Sequence, residues 1–322
     1  MFPVLKYIQK IPAGTMIVPL FIAAFINTFF PALLKMGGYT QALFSSDATD
    51  TMLALMMLLT GTQMNFKDLI MALHQGGLYV LVKCLFGIGF YTLVMSFFGH
   101  QGVFGVCSLA ILCAMTNCNG SMYMGLVATY GDQRDMGARA MFNINSGPTL
   151  TLLALGVTGN ENLDAIEFLS LLLPLFIGMI LGNIDYHIKE ATVSGTNLIL
   201  PLLGFVLGAS IDLYSVFEAG LTGLYLYVLV LIITGPVSIW LDRIVLKKPG
   251  YAAMSTISVA GNAIAVPAVI GQVDTTFAPY VHLAMVQISG AVIFSAIFTP
   301  ILTHMVAKKY GCPQWEHHFQ SK

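Results

Sequence analysis

The chain has 322 residues, of which 57% are hydrophobic and only 9% charged, and its mean hydropathy is +0.81. A soluble globular chain carries roughly 25% charged residues, so this one cannot cover a water-facing surface. Its net charge of −1 gives no reason to expect a nucleic-acid partner.

Apolar runs broken by charges and turn residues predict ten membrane-spanning helices, at 13–34, 48–63, 76–97, 103–130, 137–157, 166–184, 196–213, 220–241, 251–273 and 279–305. The first run, AGTMIVPLFIAAFINTFFPALL, is too long for a signal-peptide core and has no small-x-small cleavage site after it, so it reads as a retained span. The second and seventh spans are short. With the N-terminus inside, Lys6, Lys10, Lys67, Arg134, Arg139, Lys189, Arg243, Lys247, Lys248, Lys308, Lys309 and Lys322 fall on the cytoplasmic side, 12 of the 14 Lys and Arg. Lys35 falls outside and Lys83 inside the third span. This bias predicts both chain ends in the cytoplasm. The stretch TGNENLDAIE (158–167), on the outer side, is acidic and free of Lys and Arg.

The two halves repeat. YVLV at 79–82 returns at 227–230, and Gly87 matches Gly235 at the same offset of 148. Asn119 matches Asn262, and Ser146-Gly147 matches Ser289-Gly290, both at offset 143; PLF at 19–21 returns at 174–176. The division is a first five-helix repeat (1–157), an outer loop (158–165), a second repeat (166–305) and a cytoplasmic tail (306–322). Five is odd, so the second repeat is inverted, as is common in secondary transporters. The fold class is therefore all-α and membrane-embedded, with ten transmembrane helices as an inverted 5+5 repeat.

TNCNGS (116–121) places Thr116, Asn117, Asn119, Gly120 and Ser121 in the middle of the fourth span, and its repeat mate is VAGNAIAVP (259–267), with Gly261, Asn262 and Pro267. Backbone freed at membrane depth must find partners or line a wet cavity. The pattern predicts two broken helices that cross at a binding site, their half-helix N-termini suited to an anion. The other reading is that Asn and Ser join helices and Gly permits close packing.

Lys83 is the one ionisable residue deep in a span. It either contacts a substrate or snorkels to the nearby span end. FNINSGPTLT (142–151) adds Asn143, Asn145, Ser146 and Thr149 as a site wall or a packing network, and Gln287 and Ser289 are weaker candidates in the tenth span. Asp212 and His282 read as interfacial. The five cysteines have no C-x-x-C spacing and read as buried thiols. HExxH, GxSxG and P-loop motifs are absent from the sequence, so neither enzyme chemistry, nor a metal site, nor a cofactor is expected.

IPAGTMIVPL (11–20), INTFFP (26–31), CNGSMY (118–123), SGP (146–148), LPLFIGMILGNID (173–185), LGASIDL (207–213) and SVAGNAIAVPAVI (258–270) resemble the 2-keto-3-deoxygluconate permease family along nearly the whole chain. The resemblance implies proton-linked uptake of a keto-sugar acid across a bacterial inner membrane. It also implies the ten-helix inverted fold shared with bile-acid sodium symporters, and a Lys at position 83. The chain departs from the family pattern at Thr116, where an Asp is common, at Asn145, where a Glu is common, and at Asn65, where an acid is usual. Lys83 and Asp212 then remain as proton-coupling candidates. The expected function is a proton symporter of a small organic anion with alternating access. The alternative is a sodium-coupled or uncoupled carrier of another organic anion; a membrane sensor, channel or enzyme is disfavoured because no soluble signalling or catalytic domain is present.

Overall fold

The computed structural model describes residues 7–8, 14–145, 151, 165–192 and 194–314. Among these the fold is helical, and the one extended pairing is the short bridge of Val103 with Val106. The principal helices are α1 (Gly14–Phe29), α2 (Thr49–Thr62), α3 (Phe66–Phe98), α4 (Ser108–Thr116), α5 (Gly120–Tyr130), α6 (Gln133–Gly137), α7 (Ala165–Ile184), α8 (Gly195–Gly208), α9 (Ser215–Trp240), α10 (Tyr251–Ser255), α11 (Val266–Val273) and α12 (Val281–Tyr310).

Among the described residues, three stretches, Phe66–Gln101, Glu218–Val245 and Thr275–Tyr310, are long and apolar enough to cross a membrane, and a fourth forms if Gly38–Phe44 and Ser46–Thr62 count as one span bent by 61°. The runs at 103–130 and 251–273 are each divided into shorter pieces, while α1 and α8 have 16 and 14 residues.

The longest helix, α3, starts ten residues before the span expected at 76–97. A capping box fixes its start: Asn65 Oδ1 accepts from the Asp68 amide at 3.0 Å, and Asp68 Oδ2 accepts from the Asn65 amide at 3.4 Å. Asn and Asp cap equally well, so the Asn at 65 keeps this helix start. Tyr79, Lys83 and Gly87 fall at i, i+4 and i+8 and are buried, whereas Leu81 and Leu85 are exposed on the other face. Lys83 therefore faces the bundle and not the outside.

The helices approach closely where glycines recur four apart. On α8, a Cβ at Gly204 would overlap the Met16 carbonyl, and one at Gly208 the Leu20 carbonyl, so α1 and α8 meet backbone to backbone. On α7, Gly178 and Gly182 receive the Leu58 and Thr62 carbonyls of α2 in the same way. α9 packs on α12 through Gly223 and Gly290. Outward-facing Leu81, Leu85, Ile177, Ile184 and Ile232 are exposed. Apolar side chains on the outer faces of helices are the surface a lipid bilayer requires.

Candidate functional site

Helical hydrogen bonding in the fourth apolar run stops at Thr116 and resumes at Gly120. Asn119 caps the restart, its Oδ1 accepting from the Met122 amide at 2.9 Å. In the ninth run the helix stops at Ser255, and after an irregular stretch and the 3₁₀ turn Gly261–Ile264 it resumes at Val266. α5 packs on α10 and α4 on α11, so each half of one broken helix meets a half of the other. The two breaks touch where Cys118 Sγ donates to the Thr256 carbonyl at 3.3 Å.

Unwound backbone inside a membrane protein needs partners. Here other helices supply them. Lys83 Nζ donates to the carbonyls of Thr256 at 2.9 Å and Ser258 at 3.0 Å. Thr299 Oγ1 of α12 donates to the Ile257 carbonyl at 3.4 Å, and the Val259 amide donates to Ser295 Oγ at 3.2 Å. Lys83, only 2% exposed, thus holds the back of the ninth-run break.

In front of the breaks lies a cavity of about 510 Å³. It opens at the exposed Asp50, in the first turn of α2, and the exposed Ser210, just beyond α8, which mark its mouth. Its floor includes Asn119, Gly120, Ser121, Ala260, Gly261 and Arg139. Gly120 and Ser121 open α5, so the positive end of that helix dipole faces the cavity. Arg139 is only 6% exposed and lies against Gly120, where an added Cβ would come within 2.7 Å of its Nε. Among the described lining residues, Arg139 is the one cation and Asp50 the one carboxylate.

The cavity gathers Asn119 and Ser121 from the expected site. Thr116 and Asn117 are buried beside it instead: Thr116 Oγ1 lies 2.9 Å from Thr151 Oγ1, and Asn117 Nδ2 donates to the Cys113 carbonyl at 2.9 Å. Lys83 is behind the floor and not among the lining residues. Gln287 is distant: its Oε1 accepts from the Cys107 amide at 3.1 Å and its Nε2 donates to the Gly105 carbonyl at 2.8 Å, so it ties the loop before α4 to α12. Asp212 is exposed beyond α8, its Oδ1 accepting from the Tyr214 amide. Asn143 and Asn145 lie on the turn Ala138–Asn145 and Asn262 on Gly261–Ile264, with side chains outside the described set; Ser146 lies outside the described residues. Arg139, expected at the cytoplasmic end of the fifth span, is buried and lines the cavity. Its one sequence signal is the apolar, small-residue setting GARAMF.

The profile of the 2-keto-3-deoxygluconate permease family matches residues 5–312. The 2-keto-3-deoxygluconate permease 1 of Salmonella typhimurium is 41% identical over 304 residues, covering 94% of this chain and 95% of the relative. The 2-keto-3-deoxygluconate permeases of Enterobacter sp. and Bacillus subtilis are 34% and 30% identical, covering 94% of this chain and 93% of each relative. The chain belongs to the 2-keto-3-deoxygluconate permease family. It is a multi-pass membrane transporter and not an enzyme.

On the far side of the floor this permease-family chain has a second polar region. Asp135 of α6 is fully buried; its Oδ1 accepts from Gln75 Nε2 at 2.7 Å and Lys248 Nζ at 2.5 Å, and its Oδ2 accepts from Tyr251 OH at 2.6 Å. Tyr123 OH donates to the Asp135 carbonyl at 2.8 Å. Asp132, in the loop before α6, is held above the usual carboxylate range, first by burial and then by the Asp135 carboxylate. At the surface, Arg134 pairs with Asp68 at 2.7 Å. The charged loop YGDQRD thus ties α3, α5, α6 and α10 together on the side away from the cavity mouth.

Proposed function

We propose that this chain carries 2-keto-3-deoxygluconate, or a keto-sugar acid of similar size, into a bacterial cell by proton symport with alternating access. The observation that carries the reading is the cavity at the two helix breaks. It has the size of small-molecule sites, one guanidinium, a helix N-terminus and neutral hydrogen-bonding groups on its floor. The Arg139 fork and the α5 N-terminus hold the carboxylate. Asn119 and Ser121 face the hydroxyls. Lys83 fixes the shape of the ninth-run break from behind.

The proposed frame is ten spans in an inverted 5+5 repeat, 1–157 and 166–305, joined by an outer loop at 158–165, with 306–322 as a cytoplasmic tail. Its support is the packing. Inversion exchanges the pair of first and seventh spans with that of sixth and second, and the close α1–α8 contact is matched by α2–α7. With both termini cytoplasmic in the inner membrane, the cavity mouth faces outward and the Asp135 region seals the inner side.

Purified protein in proteoliposomes tests the reading. Labelled 2-keto-3-deoxygluconate should accumulate when an inward proton gradient is imposed, and should only equilibrate under a sodium gradient. Accumulation driven by sodium alone would replace the proton by sodium; no uptake under either gradient would remove the substrate assignment.

A further inference from the structure

Next to Asp135 sits another carboxyl group. Asp242, in the last turn after α9, is fully buried. Its Oδ1 accepts from Tyr79 OH at 2.5 Å, and its Oδ2 has no hydrogen-bond partner. Tyr79 OH in turn accepts from Gln75 Nε2 at 3.1 Å, and the same Gln75 nitrogen donates to Asp135. The two carboxyls therefore belong to one network, although they are 107 positions apart in sequence.

The charges around this network do not balance. From α3 it is faced by Gln75 and Tyr79, from α5 by Tyr123, from the α5–α6 loop and α6 by Asp132 and Asp135, and from the segment after α9 by Lys248 and Tyr251. Among the described residues Lys248 is the one ammonium within ion-pair distance of these acids, at 2.5 Å from Asp135 and 4.0 Å from Asp132. Arg243, on Asp242's own turn, stacks over the Tyr310 ring at 3.3 Å instead. Among the described residues Asp242 thus has no cation within ion-pair distance, and its buried Oδ2 has no hydrogen-bond partner. A buried carboxylate in that position would be costly, whereas a neutral carboxyl is tolerated. An ionisable group buried in a membrane bundle without a counter-ion is a functional site by default.

We propose that Asp242 is a proton-binding site of the transport cycle. Its carboxyl carries a proton while the side opposite the cavity mouth is sealed. When the Asp135 cluster separates, water reaches Asp242, the O–H bond breaks, and the proton passes to that water, leaving a hydrated carboxylate. Resealing requires the proton back, because the described residues of the closed network offer no second cation for it. α5, 11 residues and about 16 Å long, spans from the cavity floor to this cluster, so the site sits about one half-helix from the anion. The proposal rests on the reading of the chain as a proton-coupled carrier, and assigns the coupling to a residue other than Lys83 or Asp212.

The test compares wild type, Asp242→Asn and Asp242→Glu in proteoliposomes. Two transport readouts use labelled 2-keto-3-deoxygluconate: exchange between equal pools, and accumulation driven by a proton gradient. Asp242→Asn mimics the protonated carboxyl, so exchange should persist while accumulation is lost; Asp242→Glu should restore part of the accumulation. Infrared spectra supply a readout independent of substrate: the carbonyl stretch of a buried protonated carboxyl should be present in wild type and missing from Asp242→Asn. Accumulation by Asp242→Asn at the wild-type level overturns the proposal. So does joint loss of exchange and accumulation, or an infrared spectrum that the substitution leaves unchanged. If wild type itself neither exchanges nor accumulates this sugar acid, the substrate reading fails, and the infrared comparison still decides the proton site.

Discussion

Arg139→Gln removes the one cation among the described lining residues of the cavity while keeping most of the side chain's volume. Truncating one partner of a buried, hydrogen-bonded charge pair costs about 2–5 kcal/mol. Arg139 is 6% exposed, but its cavity is open at the Thr49–Asp50 end, so water screens the anion and the lower part of that range applies. A loss of about 2–3 kcal/mol weakens binding about 30- to 150-fold. Arg139→Lys keeps the charge but loses the planar fork, and its affinity should fall between wild type and Gln. The assay is equilibrium binding of labelled 2-keto-3-deoxygluconate to purified protein in lipid nanodiscs, with thermal unfolding as the control for folding. An Arg139→Gln protein that unfolds like wild type and binds the sugar acid equally well would refute the assignment.

Other substitutions separate the roles around the floor. Asn119→Ala should remove the α5 cap at a cost of about 0.5–2 kcal/mol; Asn119→Asp keeps the cap but sets a carboxylate toward the anion, so it should bind worse than Ala despite the better helix, as titration of both variants would show. Lys83→Met should leave the Ser258 carbonyl without its donor and the Thr256 carbonyl with only the Cys118 thiol, at about 1–3 kcal/mol for a buried orphan; the unfolding temperature should fall and transport stop, with less loss of anion affinity than in Arg139→Gln. Gly182→Leu should push α7 off the Thr62 carbonyl and destabilise the protein by about 1–3 kcal/mol, read as a lower unfolding temperature with the cavity chemistry intact.

The parts of this architecture that depend on neighbours along the chain could be read early. TNCNGS marks the first break because Asn119 caps the helix that starts one residue later, a purely local signal. The repeat mate VAGNAIAVP marks the second break, which runs between the helix end at Ser255 and the restart at Val266. Its partners are not legible locally: Lys83, Ser295 and Thr299, distant in sequence, satisfy the unwound backbone. Arg139 reads in the sequence only as one cytoplasmic-side cation, because positive-inside counting weighs a charge by its side of the membrane. It gives no weight to a 3₁₀ turn folding back on Gly120. The Asp135 network was legible only as a charged loop, since its principal cation, Lys248, lies 113 positions away.

The two cations near the crossing divide the work that one intramembrane lysine was expected to do. Lys83 satisfies carbonyls that point away from the cavity, and an ammonium suits this task because it can donate to several acceptors at once. Arg139 faces the cavity, where a rigid fork matches a carboxylate better than a point charge does. Together with the α5 N-terminus they make the floor electropositive, while the Asp50 carboxylate stands at the mouth. An anion therefore meets a repulsive rim and an attractive floor. That order permits the carboxylate to bind without trapping it, and favours a substrate whose polar hydroxyls can face Asp50 while its single charge reaches Arg139. A keto-sugar acid has that asymmetry; a dianion does not, and should compete poorly for the same cavity.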